Sequence, residues 1–212
     1  MKNIVLIGDS IRMGYDKYVK DSLKEVANVF YPDENCRFAE YTLRFLHEWK
    51  AKGEWGDDID LVHWNAGLWD VIELFDDEPL STPEYYENAI KRIDKRIRML
   101  FPKAKVVFAT STAVLDGKFG YEFKRHNAII EKYNSIALKA LENTGTVIND
   151  LYSLTKDCPE KYHSDAVHYY TDEGRECIGG RVLSVICKEL SVNSLAASSS
   201  TSESYSKQNV GM

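Results

Sequence analysis

Lys2-Asn3-Ile4-Val5-Leu6-Ile7-Gly8-Asp9-Ser10 is the stretch that decides the fold. Its first six residues are a short, largely apolar run with β-branched side chains, the composition of a strand buried on both faces. Gly8 breaks the run with a sharp turn, and Tyr18, Val19, Ser22, Leu23 and Val26 then recur at helical spacing. Ser10 therefore falls where a strand end meets a helix start. In an open α/β sheet this is the ligand crevice outside the carboxyl ends of the strands, where the first helical N–H groups point at whatever binds. A hydroxyl there can be a nucleophile, with its own backbone N–H set to hold an oxyanion. It can equally cap the helix, a frequent role of serine. The choice depends on partners farther along the chain.

Outward from this stretch the pattern alternates. Residues 28–31 read as a second strand, and residues 36–42 open a helix that carries Leu43, Leu46 and Trp49 on one face and closes near Gly53. Residues 59–64 read as a third strand, followed by Asn65, Gly67, Trp69 and Asp70. After a polar loop over residues 76–83, Thr82-Pro83-Glu84 starts a long amphipathic helix with Tyr86, Ile90, Ile93, Ile97 and Leu100 on its buried face. Residues 105–110 and 147–151 supply two more strands, separated by a helix through Ile130, Tyr133, Ala137 and Leu141. A polar loop over residues 156–170 leads into a last helix with Ile178, Val182, Val185 and Ile186 as its stripe. The expected fold is α/β, a three-layer α/β/α sandwich of the flavodoxin-like kind with a parallel sheet of about five strands. Residues 1–190 make one domain, and the Ser-rich residues 191–212 are too poor in apolar side chains to offset their ordering entropy, so disorder is expected there.

Composition narrows the function. With 212 residues, 44% of them hydrophobic, the chain can bury one sizeable core. A net charge of −6 and the lack of a basic stripe argue against nucleic acid as a partner. No apolar run approaches the ~20 residues that span a bilayer, so no membrane partner is expected. The N-terminal residues lack a basic region followed by an apolar one, and the expected location is the cytoplasm. Cys36, Cys158, Cys177 and Cys187 show no CxxC spacing, which indicates neither a zinc site nor a redox pair.

Asp165-Ala166-Val167-His168 stands in the loop before the last helix. An aspartate three residues ahead of a histidine can accept from the imidazole N–H and leave the other ring nitrogen free to take a proton from a serine. All strand C-termini of a parallel sheet open onto one edge, so Ser10 and His168 can meet. His126 and His163 are read as solvent-exposed or structural.

Gly8-Asp9-Ser10-Ile11, the Asn65 and Gly67 after the third strand, and Asp165-x-x-His168 together resemble the SGNH, or GDSL, hydrolase family over about residues 2 to 190. The resemblance implies metal-independent ester hydrolysis without a cofactor, with Ser10 as nucleophile, His168 as general acid/base and Asp165 as its orienter. Two blocks depart from the family pattern. Cys36 stands where a glycine usually offers its N–H to the oxyanion, and Trp69 stands where the oxyanion asparagine usually does. A backbone N–H survives at Cys36, and an indole N–H is a donor, but Asn65 at the strand end is the preferred substitute. The expected oxyanion hole is therefore Ser10, Cys36 and Asn65, with Trp69 as the alternative donor.

Asp9, Arg12, Arg37 and Trp69 are candidate substrate-binding residues, the two arginines as holders of an anion. Trp64, Tyr15, Tyr41, Tyr169 and Tyr170 are either core or stacking surface for a sugar or aryl ester. These readings point to a serine esterase for short acyl groups, acetyl above all, on a small-molecule or carbohydrate ester. A lysophospholipase or acyl thioesterase on the same scaffold is the competing enzyme. A binding module that keeps the fold without catalysis is the competitor from another class.

Overall fold

The computed structural model describes residues 1–194, so most of the Ser-rich segment lies outside the described residues. Strands β1 (Lys2–Ile7), β2 (Ala27–Phe30), β3 (Leu61–Trp64), β4 (Lys105–Ala109) and β5 (Val147–Asn149) pair in parallel in the order β2-β1-β3-β4-β5. Ile4 lies opposite Val29 on one side and Leu61 on the other. As a central strand, β1 is covered on both faces, and Ile4, Val5, Leu6 and Ile7 are all 0% exposed. This is why its residues are continuously apolar rather than alternating.

Helices α1 (Ser10–Leu23), α2 (Ala39–Lys52), α3 (Pro83–Leu100), α4 (Asn127–Leu141), α5 (Leu151–Thr155) and α6 (Asp172–Leu190) complete the chain. The step from β1 to β2 runs one way along the sheet and every later step runs the other way. Right-handed crossovers then put α1 on one face and α2, α3 and α4 on the opposite face. The packing agrees: α1 lies against α6, and α2, α3 and α4 lie side by side. The result is the three-layer α/β/α sandwich expected from the sequence.

Three boundaries move. β2 starts at Ala27, one residue before the expected strand. β3 begins at Leu61, and just before it the Asp60 carboxylate accepts from Lys2 Nζ (2.7 Å) and the Asn3 N–H (2.8 Å). The last strand stops at Asn149, and Asp150 accepts from the Ser153 N–H at 3.0 Å to cap α5. That five-residue helix is too short for a periodic signal.

Side-chain amides on α4 hold the loop after β4. Asn134 accepts from the Ser111 N–H (2.8 Å) and donates to the Ser111 carbonyl (3.0 Å). Asn127 makes the same pair of bonds with Val114, at 3.0 and 2.8 Å. The loop edge at the strand C-termini is thereby fixed.

Candidate active site

β1 and β3 are the neighbours at which the direction of the crossovers changes, the place where open α/β sheets leave a crevice. Gly8, Asp9 and Ser10 leave β1 there, and Asn65 leaves β3. The cap of α1 is Asp9 rather than Ser10: its carboxylate accepts from the Ile11 N–H at 3.0 Å. Ser10 is thus released from capping. It begins the helix half-buried, and among the described residues its own N–H has no hydrogen-bond partner.

Asp165 and His168 arrive from the loop before α6. One Asp165 oxygen accepts from the backbone N–H groups of Val167 (2.8 Å) and His168 (2.9 Å). The other lies 2.8 Å from His168 Nδ1, and His168 Nε2 lies 2.7 Å from Ser10 Oγ. Partial burial pushes the Asp165 carboxyl up, but those backbone donors and the imidazole outweigh it and hold the group below the usual carboxylate range. Tyr170 braces the pair. Its ring stacks on the imidazole at 4.7 Å, and its hydroxyl donates to the Ser10 carbonyl at 2.7 Å. The chain from Ser10 Oγ through His168 to Asp165 has the connectivity needed to remove a hydroxyl proton.

Asn65 sits against this turn. A Cβ on Gly8 would overlap Asn65 Oδ1, so the glycine is required by close approach. The Asn65 amide adjoins the Asp9 carboxyl, whose pKa is raised by complete burial while Asn65 and the Ile11 N–H act against the rise. Asn65 therefore packs on the turn that carries Ser10.

Several expected roles are corrected. The Cys36 N–H donates to the Gly8 carbonyl at 3.1 Å, so it is committed to joining the two loops and does not serve an oxyanion. Burial pushes the Cys36 thiol up to about 12. Asp9 is 0% exposed and Arg12 is 1% exposed, and each is engaged by partners within the protein. Arg12 Nη1 pairs with Asp16 at 2.6 Å, and Nη2 donates to the Glu34 carbonyl at 2.5 Å, which ties α1 to the loop after β2. Arg37 is exposed, with its guanidinium over the Tyr41 ring at 4.7 Å. Trp64, Tyr15 and Tyr169 are core. Trp69 is half-buried in the loop after β3.

Two further titratable groups are buried here, and the sequence reading gave neither a role. Asp70 accepts from the Ala39 N–H at the start of α2 (3.1 Å) and from Ser81 Oγ (2.7 Å), and its burial pushes its pKa up to about 7. It latches the loop after β3 to α2. Arg125 is 4% exposed and its Nε donates to the Leu68 carbonyl at 2.5 Å. Asp70 closes the block Gly67-Leu68-Trp69-Asp70, whereas Arg125 stands in no motif.

The other histidines and cysteines lie apart from this chain. His163 stacks on Tyr169 at 4.0 Å, and Glu160, three residues before it, pairs with Lys118 at 2.7 Å. His126 lies 3.6 Å from Glu73. Cys158 and Cys177, far apart in sequence, bring their sulfurs to 3.9 Å as free thiols. An open, polar cleft of about 540 Å³ adjoins Asp165, walled by Leu115, Lys118, Glu160, Lys161 and His163. A cavity of only about 10 Å³ remains where Ile11, Tyr15, Tyr169 and Ile178 meet.

A scan of the chain against protein-family models gives no match, and neither does a search of curated proteins. Solved structures do match. A lipase/acylhydrolase from Enterococcus faecalis superposes with a TM-score of 0.68 at 20% identity, covering 88% of this chain and 95% of that one. An acetyl xylan esterase gives 0.66 at 16% identity over 87% and 99% of the two chains. A GDSL-like lipase from Bacteroides thetaiotaomicron gives 0.67 at 18% identity over 88% of each. At these identities the likeness is one of architecture, and by that measure this chain has the fold of the SGNH, or GDSL-like, hydrolases.

Proposed function

We propose that the protein is a serine hydrolase that cleaves short-chain esters, acetyl esters on a carbohydrate or similar polar acceptor being the preferred class. The observation that carries this reading is the unbroken chain from Ser10 Oγ to His168 Nε2 (2.7 Å) and from His168 Nδ1 to Asp165 (2.8 Å). Structural neighbours described as an acylhydrolase and an acetyl xylan esterase support it.

In this mechanism Ser10 Oγ attacks the ester carbonyl carbon while its proton passes to His168 Nε2. Asp165 stabilises the imidazolium and fixes the ring. The negative charge on the carbonyl oxygen is held by the Ser10 N–H and the Asn65 amide, which together replace the donor lost at Cys36. Collapse expels the alkoxide, which takes the proton from His168. Water then attacks the acyl-serine, gives a proton to His168, and releases the carboxylic acid as Ser10 recovers its own. The cleft beside Asp165, edged by the charged side chains of Lys118, Glu160 and Lys161, favours a hydrophilic acceptor.

Purified protein should release p-nitrophenol from p-nitrophenyl acetate faster than from esters of eight carbons or more, and Ser10→Ala should abolish that activity. Preference for the long chains would move the reading to a lysophospholipase or thioesterase. Equal rates for wild type and Ser10→Ala, with no labelling of Ser10 by a fluorophosphonate, would leave a binding module.

A further inference from the structure

Arg125 is held firmly but used sparingly. The adjacent Lys124 exchanges backbone hydrogen bonds with Glu73 (3.0 and 3.1 Å), which pins this segment to the loop after β3. The guanidinium is fixed further by its Nε bond to the Leu68 carbonyl and by the Phe123 ring, 4.8 Å from Cζ. Among the described residues, Nη1 and Nη2 make no hydrogen bond and no ion pair. They are also not among the polar atoms sealed from the surface. A guanidinium offers five N–H donors, and taking such a group out of water with most of them idle is costly unless another partner arrives.

Its position follows from its bond to the Leu68 carbonyl, and two charges agree with it. The carboxylates that act on Arg125 are Asp9 and Asp165. Asp9 adjoins Ser10 in the chain, and Asp165 is bonded to the His168 ring that meets Ser10. The bond to Leu68, three residues past Asn65, sets the guanidinium against the loop after β3, at the strand C-terminal edge on which Ser10 and His168 also meet. Burial pushes the Asp9 carboxyl towards its neutral form, while Arg125, lowered to about 10, remains a cation at neutral pH. One positive charge with a free planar fork therefore borders the crevice.

We propose that Arg125 determines specificity by binding, through its terminal nitrogens, a carboxylate carried by the ester substrate whose acyl carbon meets Ser10. The inference rests on the serine-hydrolase reading and deepens it. A carboxylate matches the fork with two parallel, charge-assisted hydrogen bonds, a geometry that lysine cannot reproduce. Charge compensation of Asp9 alone would need no free Nη groups.

The test uses two matched pairs of esters. In 4-acetoxybenzoate against 4-acetoxybenzamide the carboxylate is on the alcohol side, and in mono-p-nitrophenyl glutarate against p-nitrophenyl pentanoate it is on the acyl side. For one pair the wild type should show a KM about 10-fold lower for the charged member, in keeping with a charge-assisted contact. Arg125→Gln should bring the KM of the charged member to that of its neutral partner, and Arg125→Lys should restore only part of the difference. No preference in either pair, or an equal loss on charged and neutral esters, overturns the proposal. Calorimetric titration of Ser10→Ala with each charged ester keeps this result apart from the hydrolase reading. Binding of either ester that disappears when Arg125→Gln is added supports the carboxylate site even without turnover, and binding of neither, or binding indifferent to Arg125, overturns it.

Discussion

His168 Nε2 meets Ser10 Oγ at 2.7 Å across 158 residues of chain. The contact exists because the parallel sheet gathers its strand C-termini on one edge, so the turn after the first strand and the loop before the last helix face each other. Asp165 fixes the other side of the ring in a specific way. Its Oδ1 is taken by two backbone N–H groups, which leaves Oδ2 for Nδ1.

That division predicts the outcome of Asp165→Asn. The amide oxygen will stay on the Val167 and His168 N–H groups, because the amide nitrogen cannot accept from them. The nitrogen then faces Nδ1 and donates to it, which forces the ring proton onto Nε2, where it blocks acceptance from Ser10. The expected fall in kcat is on the order of 10³–10⁴, the size seen for the wrong tautomer in serine proteases. Steady-state rates on p-nitrophenyl acetate at pH 7, with an unchanged melting temperature, check it; near-normal activity would remove Asp165 from the mechanism.

A second prediction separates the two oxyanion donors considered from the sequence. Asn65 packs on Gly8 next to Ser10, whereas Trp69 lies half-buried farther along the loop. Asn65→Ala should lower kcat by about 10² to 10³ with KM little changed, equivalent to ~2.7–4 kcal/mol of transition-state stabilisation. Trp69→Phe removes only the indole N–H and should cost less than about 3-fold. The reverse order of effects would assign the hole to Trp69.

The legible parts of this molecule are those in which chemistry and chain position coincide. β1 could be read because burial on both faces leaves a continuous apolar signature, and Ser10 because it stands at the turn that follows that strand. Asp165 and His168 could be read because a three-residue separation is itself the hydrogen-bonding geometry. Cys36 was misassigned because a backbone N–H carries no trace in sequence of the carbonyl that uses it, here that of Gly8. Asp9 and Arg12 look like surface charges in a loop and an exposed helix. Their burial depends on where Asn65, Asp16 and Glu34 come to lie, which is tertiary information. Arg125 gives no signal at all, since its meaning comes from loops brought together over 57 residues of chain, from Leu68 to Arg125.

The last prediction concerns stability against pH and rests on His63 in the middle of β3. The ring is 0% exposed, with Nε2 at 3.1 Å from Asn149 Nδ2 and Nδ1 at 3.4 Å from the Tyr15 hydroxyl. Arg181 donates to Asn149 Oδ1 at 3.2 Å, which orients the amide so that its nitrogen donates to Nε2. The histidine is then the neutral Nδ1–H tautomer, with Tyr15 as acceptor. Burial lowers its pKa from 6.5 to about 3. Between those values the unfolded chain binds the proton and the folded chain does not, so stability is lost as pH falls below the unfolded value, by up to ~1.4 kcal/mol per pH unit from this one group. Asp70, raised to about 7, has the opposite sign: the folded chain holds its proton more tightly, and stability from that group falls as pH rises from about 4 towards 7. Urea unfolding of wild type and His63→Gln at intervals from pH 7 to 4 isolates the histidine, because Asp70 is common to both. The stability of the wild type relative to His63→Gln should decrease steadily below pH 6.5. A difference that stays constant across that range would mean that the buried ring takes up its proton in the folded state.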